Sequence, residues 1–319
     1  MTHYDVCNGD ADGLFALRQL RLADPIESFV VTGLKRDIAL LERVEAAPGD
    51  AVTVLDVPLG PNRAALERLL AGDVAVTWYD HHVPGPRLEH PQLELHIDTD
   101  PETCTSVLVD AHLEGRYRAW AIAAAYGDNL PLAAERLADV MALAPTQRAD
   151  LRLLGEAVNY NAYGDTEADL RIHPAALYRW LAHWSSPFDV LAHVPVIREL
   201  DELRRADLER AREVAPRHRD DHCVVVVLPD AAWSRRVLGA FANQLALIDP
   251  QRAHAVLEAL PDGGYTASVR APHATLRGAD ALAREFHGGG RAAAAGIERL
   301  PEHELARFIA RLAIARWDA

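Results

Sequence analysis

Two aspartates lie one residue apart in a glycine-flanked turn near the amino terminus, in the sequence CNGDADG of residues 7–13. The residues before this turn are typical of a strand, and the residues after it have apolar side chains at helical spacing. Two like charges this close repel each other, and one or two divalent cations would convert the repulsion into coordination. The alternative is a turn in which one aspartate caps the following helix, which would explain Asp10 or Asp12 but not both.

Two other predicted strands also end in side chains of the metal-ligand type. One buried strand ends at Asp56, and the next along the chain ends at Asp80, His81 and His82. The carboxyl ends of parallel strands meet at one edge of a sheet, so we expect these side chains to converge there. Carboxylate and imidazole groups suit Mn²⁺ or a related octahedral cation, and no set of thiolates indicates structural zinc. For the two histidines alone, the alternative is a surface turn before Pro84.

A second candidate site is the glycine-rich stretch near the carboxyl terminus. Gly288, Gly289 and Gly290 follow a predicted helix, and Arg291 comes directly after them. Glycines let the backbone approach a ligand and direct N–H groups at a phosphate or carboxylate. Arg291, together with Arg270 at the end of a predicted strand, could add bidentate phosphate contacts. The alternative is a tight glycine turn packed against a helix.

The elements that must position these residues alternate between strand and helix. Strands are predicted over residues 3–7, 28–32, 51–55, 74–79, 93–97, 223–228, 254–259 and 265–270. Helices are predicted over residues 14–20, 37–44, 62–71, 103–113, 117–126, 131–141, 148–159, 174–184, 197–214, 234–246 and 278–286. This order predicts an α/β fold with a doubly wound parallel sheet, followed by a smaller α/β domain. We place the first domain at residues 1–185, a helical linker at 186–220 and the second domain at 221–319.

Composition limits the classes of partner. The formal net charge of −14 argues against a long nucleic-acid footprint, although a small phosphorylated ligand remains compatible. Three widely separated cysteines, Cys7, Cys104 and Cys223, argue against a disulfide framework and for a reducing cytoplasm. The sequence shows no apolar run of membrane-spanning length and no signal peptide, so we expect a cytoplasmic protein without a membrane partner.

The chain resembles the DHH phosphoesterase family, whose signature tripeptide is matched by Asp80, His81 and His82. It is similar to the subgroup with a C-terminal DHHA1 domain, whose glycine-rich substrate-binding element is matched by residues 288–296, with Arg291 in place of a histidine. Relatives include RecJ-type exonucleases, nanoRNA and phosphoadenosine-phosphate hydrolases, and cyclic dinucleotide phosphodiesterases. The resemblance implies that the first domain is catalytic and that the second binds substrate.

The resemblance also implies a set of site residues. Two Mn²⁺ ions, for which Mg²⁺ or Co²⁺ could substitute, would have as ligands the residues Asp10, Asp12, Asp56, His81 and Asp128. Asp56 would bridge the ions, and His82 would contact the scissile phosphate. Asp128 also follows a buried, predicted helix, where a carboxylate needs a partner or water.

One position departs from the family pattern. Many relatives carry a histidine ligand a few residues before the first aspartate, where this chain has Val6, Cys7 and Asn8. Asn8 could supply a carbonyl oxygen to the metal, and Cys7 a thiolate, although a buried cysteine at a strand end is more often packing. A weaker first metal site follows from this departure.

The expected function is hydrolysis of phosphate ester bonds in short oligonucleotides or small nucleotides. A metal-activated hydroxide would attack phosphorus while His82 stabilises charge on the phosphate oxygens. A degenerate nucleotide-binding protein and a cyclic dinucleotide phosphodiesterase are the alternatives, and a family II pyrophosphatase is a weaker one. The sequence is also compatible with a homodimer.

Overall fold

A computed structural model of the chain describes residues 1–315 and residue 317. The chain divides into two compact units, Met1–Glu202 and Leu203–Ala319. Each unit has its own sheet and its own hydrophobic core. The predicted α/β class is therefore confirmed for both halves of the chain.

The first unit contains a five-stranded sheet in which the strands run parallel. The strands are β1 (His3–Cys7), β2 (Phe29–Val31), β3 (Ala51–Leu55), β4 (Ala75–Asp80) and β5 (Leu93–Ile97). Their spatial order is β2-β1-β3-β4-β5, so the order reverses between β1 and β3. Ligands of open α/β sheets bind beyond the strand carboxyl ends at such a reversal.

The register of the sheet places three strand ends at the same level. Cys7 at the end of β1 pairs with Leu55 at the end of β3, and Leu55 pairs with Tyr79 of β4. The residues that follow these three positions therefore leave the sheet side by side. This alignment brings the polar turns after β1, β3 and β4 to a common edge.

Helices connect and follow these strands, and the last of them crosses the boundary between the two units. They are α1 (Ala11–Ala23), α2 (Leu59–Ala71), α3 (Thr105–His112), α4 (Arg118–Gly127), α5 (Pro131–Val140), α6 (Pro145–Asn161), α7 (Pro174–Leu181), α8 (Pro187–His193) and α9 (Pro195–Glu213). Helix α4 is largely buried, and it packs so closely on α6 that a Cβ at Gly155 would lie 1.9 Å from the carbonyl oxygen of Ala123. This contact fixes the end of α4, where Asp128 is the C-cap residue.

The helix predicted over residues 37–44 is wrong, because this segment forms only a 3₁₀ turn at Leu40–Arg43. The buried side chain of Asn62 accounts for the difference. Its amide nitrogen donates to the carbonyl oxygen of Ile38 at 2.6 Å, and its amide oxygen accepts from the N–H of Leu41 at 3.0 Å. These backbone groups are thereby satisfied by a side chain rather than by a helical ladder.

The second unit contains a six-stranded mixed sheet with the order β10-β11-β9-β8-β7-β6. Its strands are β6 (His218–Arg219), β7 (Cys223–Leu228), β8 (Ala253–Ala259), β9 (Tyr265–Arg270), β10 (Gly289–Gly290) and β11 (Ala294–Leu300). Its helices are α10 (Ala232–Ile248), α11 (Ala279–Arg284) and α12 (Leu305–Ile314). Strands β6, β10 and β11 and helices α8 and α12 were not among the predicted elements.

Among the residues that the structure describes, none of the helices has both the length and the apolar character needed to cross a bilayer.

Candidate metal centre at the carboxyl edge of the parallel sheet

Both aspartates of the first turn are buried, and each accepts backbone hydrogen bonds at a helix start. The Oδ1 of Asp10 accepts from the N–H of Asp12 at 3.0 Å and of Gly13 at 3.1 Å, which caps α1. The carboxylate of Asp12 accepts from the N–H of Thr105 at 2.8 Å and of Ser106 at 2.7 Å, at the start of α3. Capping therefore applies to both residues, which corrects the expectation that it could explain only one. A carboxylate has about four acceptor positions, so these bonds leave room for a metal ion.

Asp56 follows β3 in a backbone conformation that side chains rarely adopt, with φ at 56°. Its N–H donates to the carbonyl oxygen of Tyr79 at 3.0 Å, which extends the ladder between β3 and β4 by one residue. Asp and Asn are among the residues that tolerate this left-handed region best. The strain is held in place by the sheet, and it directs the carboxylate of Asp56 into the cluster.

His81 is buried beside Asp56. Its Nδ1 lies 3.1 Å from the carbonyl oxygen of Thr103, and its Nε2 lies 3.4 Å from Oδ1 of Asp56. The carbonyl favours the tautomer with the proton on Nδ1, so Nε2 presents a lone pair towards a carboxylate. Metal-binding histidines commonly use this arrangement, in which a backbone carbonyl orients the ring.

His82 is held by the third member of the tripeptide. Its Nδ1 lies 2.7 Å from Oδ1 of the fully buried Asp80, and 43% of its side chain remains exposed. Donation from Nδ1 to Asp80 fixes the ring and leaves Nε2 available for a ligand. Asp80 thus acts on His82 as an orienting group, a role that the sequence reasoning did not assign.

The structure brings four of the predicted metal ligands, together with His82, into two groups of close donor atoms, and Asp10 and Asn8 lie outside these groups. Oxygen or nitrogen atoms of Asp12, His81 and Asp128 lie within 4.8 Å of one another, and so do those of Asp56, His81 and His82. The two groups contain three carboxylates and two imidazoles, which are donor types that Mn²⁺ and similar ions accept. The residues present therefore fit a divalent cation.

The electrostatics of the cluster point the same way. Burial raises the pKa of Asp12, and burial together with the neighbouring carboxylates raises the pKa of Asp56 well above its ordinary value. Burial alone would also raise the pKa of Asp10, but the Lys35 ammonium beside it lowers that pKa instead. The cluster thus carries like charges that additional positive charge would stabilise.

Lys35 is the functional candidate that sequence reasoning missed. Its Nζ lies 2.5 Å from Oδ2 of Asp10 and 3.3 Å from Oδ1 of Asp128. It lies in the loop after β2, which is parallel to β1 and its neighbour in the sheet. Applying the strand-end rule to β2 as well as to the other strands would have directed attention to this loop.

The two residues suggested as substitutes for the absent histidine have other partners. The Oδ1 of Asn8 accepts from the N–H of Asp10 at 3.2 Å, and its Nδ2 donates to the carbonyl oxygen of Lys35 at 3.3 Å. Cys7 is fully buried, and burial raises the pKa of its thiol, which favours the inert packing role. Asn8 therefore connects the first turn to the Lys35 loop.

In the second unit the glycine stretch forms a hairpin. Gly289 and Gly290 form β10, which pairs with β11, and the N–H of Arg291 donates to the carbonyl oxygen of Ala294 at 2.8 Å. Packing requires glycine at position 288, since an added Cβ would lie 2.2 Å from the carbonyl oxygen of Gly296. The backbone conformation favours glycine at position 290, where φ is 145°. Around Gly289, by contrast, no heavy atom in the described residues lies within 4 Å of an added Cβ.

Arg270, at the end of β9, is bound within the second unit. Its Nε donates to Oδ1 of Asn243 at 2.5 Å, and its Nη1 donates to Oγ of Ser268 and to the carbonyl oxygen of Val269, both at 2.9 Å. Its Nη2 donates to the carbonyl oxygen of Gly239 at 3.3 Å. These bonds connect β9 to α10, so the guanidinium has a structural role in addition to any contact with substrate.

Comparisons with known proteins identify structures that share this fold. No family model and no curated protein matches the sequence significantly. The structure is similar to the DHH domain of a protein from a family of ribosomal proteins, with a TM-score of 0.63 and 14% identity over 98% of this chain and 85% of that one. It is similar to RecJ in complex with Mn²⁺ from Thermus thermophilus, with a TM-score of 0.61 and 20% identity over 98% of this chain and 51% of that one.

A third similar structure is the pGpG-specific phosphodiesterase PggH from Vibrio cholerae. The TM-score is 0.53 and the identity 15%, and the match covers 98% of each chain. The chain thus spans about half the length of the Thermus thermophilus RecJ and almost the whole of the phosphodiesterase. Likeness at these identities shows a shared fold.

Proposed function

Given that this chain has the fold of the DHH-domain proteins, we propose that it is a divalent-metal-dependent phosphoesterase acting on short oligonucleotides or small nucleotides. The observation that supports this most strongly is that donor atoms of Asp12, His81 and Asp128 lie close together, as do those of Asp56, His81 and His82. RecJ is solved with Mn²⁺ and with Mg²⁺. We propose Mn²⁺ as the preferred ion, because three carboxylates and one imidazole suit it well.

The roles of the residues follow from their contacts. A divalent ion held by these residues would supply Lewis-acid activation of water at neutral pH. His82 is half-exposed and oriented through Nδ1 by Asp80, so in its imidazolium form Nε2–H would donate to an oxygen of the scissile phosphate. Asp56 is held by its strained backbone in a position to bind the ion.

The second unit is proposed to bind the nucleotide. Gly289 is exposed and has no packing reason to be glycine among the described residues, so its backbone is open to close approach by a ligand. Arg291 lies at the turn of the same hairpin and supplies positive charge for a phosphate. Arg270, Gly288 and Gly290 would contribute by holding the shape of the hairpin and its neighbouring strand.

Short substrates are favoured over long ones. The chain matches a pGpG-specific phosphodiesterase with coverage of 98% of each chain. A net charge of −14 also disfavours a long nucleic-acid footprint. A linear dinucleotide such as pGpG is therefore the first substrate to test.

A second candidate function is nucleotide binding without hydrolysis. The observation that favours it is the Lys35 ammonium beside Asp10, at a position where the family resemblance implies a metal ion. The presence of Asn8 instead of the expected histidine side chain also favours binding without hydrolysis. Binding and turnover must therefore be measured separately.

A cytoplasmic location is part of the proposal. Cys7, Cys104 and Cys223 are free and buried, which is typical of a protein in a reducing compartment.

The decisive experiment is a substrate screen with controlled metal content. The purified chain would be incubated with pGpG, short oligonucleotides, cyclic dinucleotides and phosphoadenosine phosphate, in Mn²⁺, in Mg²⁺ and after exhaustive chelation. We expect hydrolysis of a short linear substrate in Mn²⁺, loss of activity on chelation and recovery when Mn²⁺ is restored. His82→Ala, purified in the same way, controls for contaminating nucleases.

Full activity after chelation would refute the metal-dependent mechanism. Nucleotide binding without turnover in any metal would support the second candidate instead.

A further inference from the structure

Lys35 is the single lysine of a chain in which the other basic side chains, apart from histidine, are arginines. Its ammonium lies in the acidic cluster, 2.5 Å from Asp10 and 3.3 Å from Asp128, and 3.5 Å from the amide oxygen of Asn159. Three oxygen atoms thus surround one compact cation. An ammonium is a point charge with three donors, which suits such a group better than the planar fork of arginine.

The loop that carries Lys35 is held on both sides. The N–H of Lys35 donates to the carbonyl oxygen of Ala162 at 2.9 Å, and its own carbonyl oxygen accepts from Nδ2 of Asn8 at 3.3 Å. The ring of Tyr163 lies 5.5 Å from the ammonium, within cation–π range. Backbone bonds and an aromatic neighbour therefore restrict where the side chain can go.

A close backbone approach makes this loop position available. An added Cβ at Gly9 would lie 1.9 Å from the carbonyl oxygen of Gly33, two residues before Lys35. Only glycine at position 9 allows the first turn and the Lys35 loop to touch in this way. The sequence of the first turn thus accommodates the lysine loop as well as the carboxylates.

The donors in the cluster divide into two groups around Asp128. On one side, Asp10 uses Oδ1 for the α1 cap and Oδ2 for Lys35, and Asn8 has both amide atoms engaged. On the other side, donor atoms of Asp12 and His81 lie within 4.8 Å of Asp128 and of each other, and those of Asp56, His81 and His82 form a second such group that shares His81. On the first side Asp10 faces the ammonium and Asn8 bonds the backbone of the same loop, whereas the donors around His81 have the composition of a divalent-ion site.

We propose that the Lys35 ammonium permanently takes the place of one of the two metal ions, so that the chain binds a single divalent ion, at Asp12, Asp56, His81 and Asp128. This inference rests on the proposed function, because it presumes that the cluster binds a divalent ion at all. The lysine neutralises Asp10 without requiring metal. It also leaves a fixed positive charge next to the site, where a substrate phosphate could be bound.

The test counts ions rather than measuring activity. Mn²⁺ bound per chain would be determined by equilibrium dialysis up to millimolar concentration, and electron paramagnetic resonance would distinguish isolated ions from a spin-coupled pair. We expect the wild type to bind one isolated Mn²⁺. Lys35→Ala should bind two ions with a coupled spectrum, and the charge-conserving Lys35→Arg should remain at one.

Arg36→Ala is the matched control, because Arg36 adjoins Lys35 but is exposed and paired with Asp165. It should bind one ion, as the wild type does. Lys35→Gln, which keeps a hydrogen-bond donor near Asp10, provides a second neutral variant if Lys35→Ala does not fold, and it should also gain an ion.

The outcomes separate this inference from the proposed function. Two ions in the wild type would overturn the role of Lys35 while leaving a metal-dependent phosphoesterase intact. One ion in the wild type and still one in both neutral variants would show that Lys35 does not exclude the second ion. No bound ion in any variant would overturn both the inference and the metal centre.

Discussion

At the scale of single residues, Asp56 is a candidate metal ligand whose position in the fold is energetically unfavourable without a metal ion. Its φ of 56° lies in the left-handed region, and its buried carboxylate faces other carboxylates, which raise its pKa in addition to burial. Both features oppose folding of the metal-free protein. A role as a metal ligand would explain why the carboxylate of Asp56 is held in this position.

Asp56→Asn tests this interpretation. Asn tolerates the same backbone conformation, so the fold should persist, and the metal-free protein should be at least as stable because a buried like charge is removed. Mn²⁺ affinity should fall by more than the roughly 10–100-fold that loss of an outer-shell partner costs. Titration calorimetry and thermal melts would measure the two effects.

Asn8→Ala is the comparison for that experiment. The side chain of Asn8 contacts the backbone of Asp10 and Lys35, so its loss should affect metal binding much less. Asp56→Ala adds a further control, since Ala in the left-handed region costs about 1–2 kcal/mol that Asn largely avoids. Equal losses of Mn²⁺ affinity in Asp56→Asn and Asn8→Ala would contradict the proposed arrangement.

The sequence predicted most of the cluster because its members directly follow buried strands or a buried helix. Asp56, Asp80, His81 and His82 each require only the rule that parallel strands end at one edge. Lys35 escaped prediction because it is four residues beyond β2, on a loop whose path depends on the contact between Gly9 and Gly33. Such a contact is tertiary and has no local signal.

At the scale of elements, β1 is held against α1 by a buried ion pair. The carboxylate of Asp5, which is fully buried, accepts from Nη2 of Arg21 at 2.7 Å and from Nε at 2.9 Å. Ser28 donates to it at 2.6 Å, and His3 lies 3.4 Å away. Burial would raise the pKa of Asp5, but its bonds to Arg21, His3 and Ser28 lower it. This pair anchors the strand from which the first turn leaves the sheet.

Asp5→Asn should destabilise the protein by about 3–5 kcal/mol, because it leaves the Arg21 guanidinium buried without its counter-charge. A carboxyl whose folded pKa is lowered stabilises the protein above its unfolded pKa of about 3.9, and this stabilisation is lost as the pH falls through the folded value. The difference between wild type and variant should therefore be full at neutral pH and shrink below about pH 4.

Denaturant unfolding at several pH values would measure this difference in stability between the wild type and Asp5→Asn. Glu89→Gln, which removes an exposed pair with Arg87, should change stability little at any pH. A pH-independent loss in Asp5→Asn would mean that shape, rather than charge, explains the effect.

The β10–β11 hairpin offers a second test at this scale, through its adjacent glycines. Gly289→Ala should leave stability within about 0.5 kcal/mol, because nothing described lies near the added Cβ. It should nevertheless weaken binding of pGpG if the backbone there approaches the ligand. Gly288→Ala should instead destabilise the second unit, because its Cβ would collide with the carbonyl oxygen of Gly296.

Thermal melts and nucleotide titrations of the two variants would measure these effects. Unchanged nucleotide affinity in Gly289→Ala would indicate that the glycine run serves only the hairpin.

Elements were less predictable where a side chain or a partner strand decides the structure. The segment 37–44 has helical periodicity, but Asn62 takes its backbone hydrogen bonds. Strand β10 consists of two glycines, Gly289 and Gly290, which have no strand propensity and are ordered by pairing with β11. By contrast, five strands were predicted at their exact bounds, among them β3, a nearly continuous apolar run, and β7, a continuous one.

At the scale of the whole molecule, the chain separates into a unit with the acidic cluster and a unit with the glycine hairpin. Under the proposed function, the first unit would carry the chemistry of phosphate cleavage and the second would contribute a share of substrate affinity. The assignment predicts different kinetic signatures for residues in the two units. His82 and Arg291 are the residues to compare, because neither is in the hydrophobic cores.

Arg291→Ala should weaken binding of a nucleotide substrate by about 1.5–3 kcal/mol, the usual range for hydrogen bonds to charged groups. Mn²⁺ affinity should not change, and hydrolysis of a minimal chromogenic phosphodiester should be nearly normal. His82→Ala should lower kcat for the nucleotide and the minimal substrate alike, on the order of 10²–10³-fold, because it acts at the phosphorus.

Steady-state kinetics on both substrates would measure the split between KM and kcat. Arg299→Ala is the matched control, since Arg299 is an exposed arginine on the neighbouring β11 that pairs with Asp262. Its kinetics should resemble those of the wild type. If Arg291→Ala slowed the minimal substrate as much as the nucleotide, its effect would lie in the chemical step, and the assignment of affinity to the second unit would be wrong.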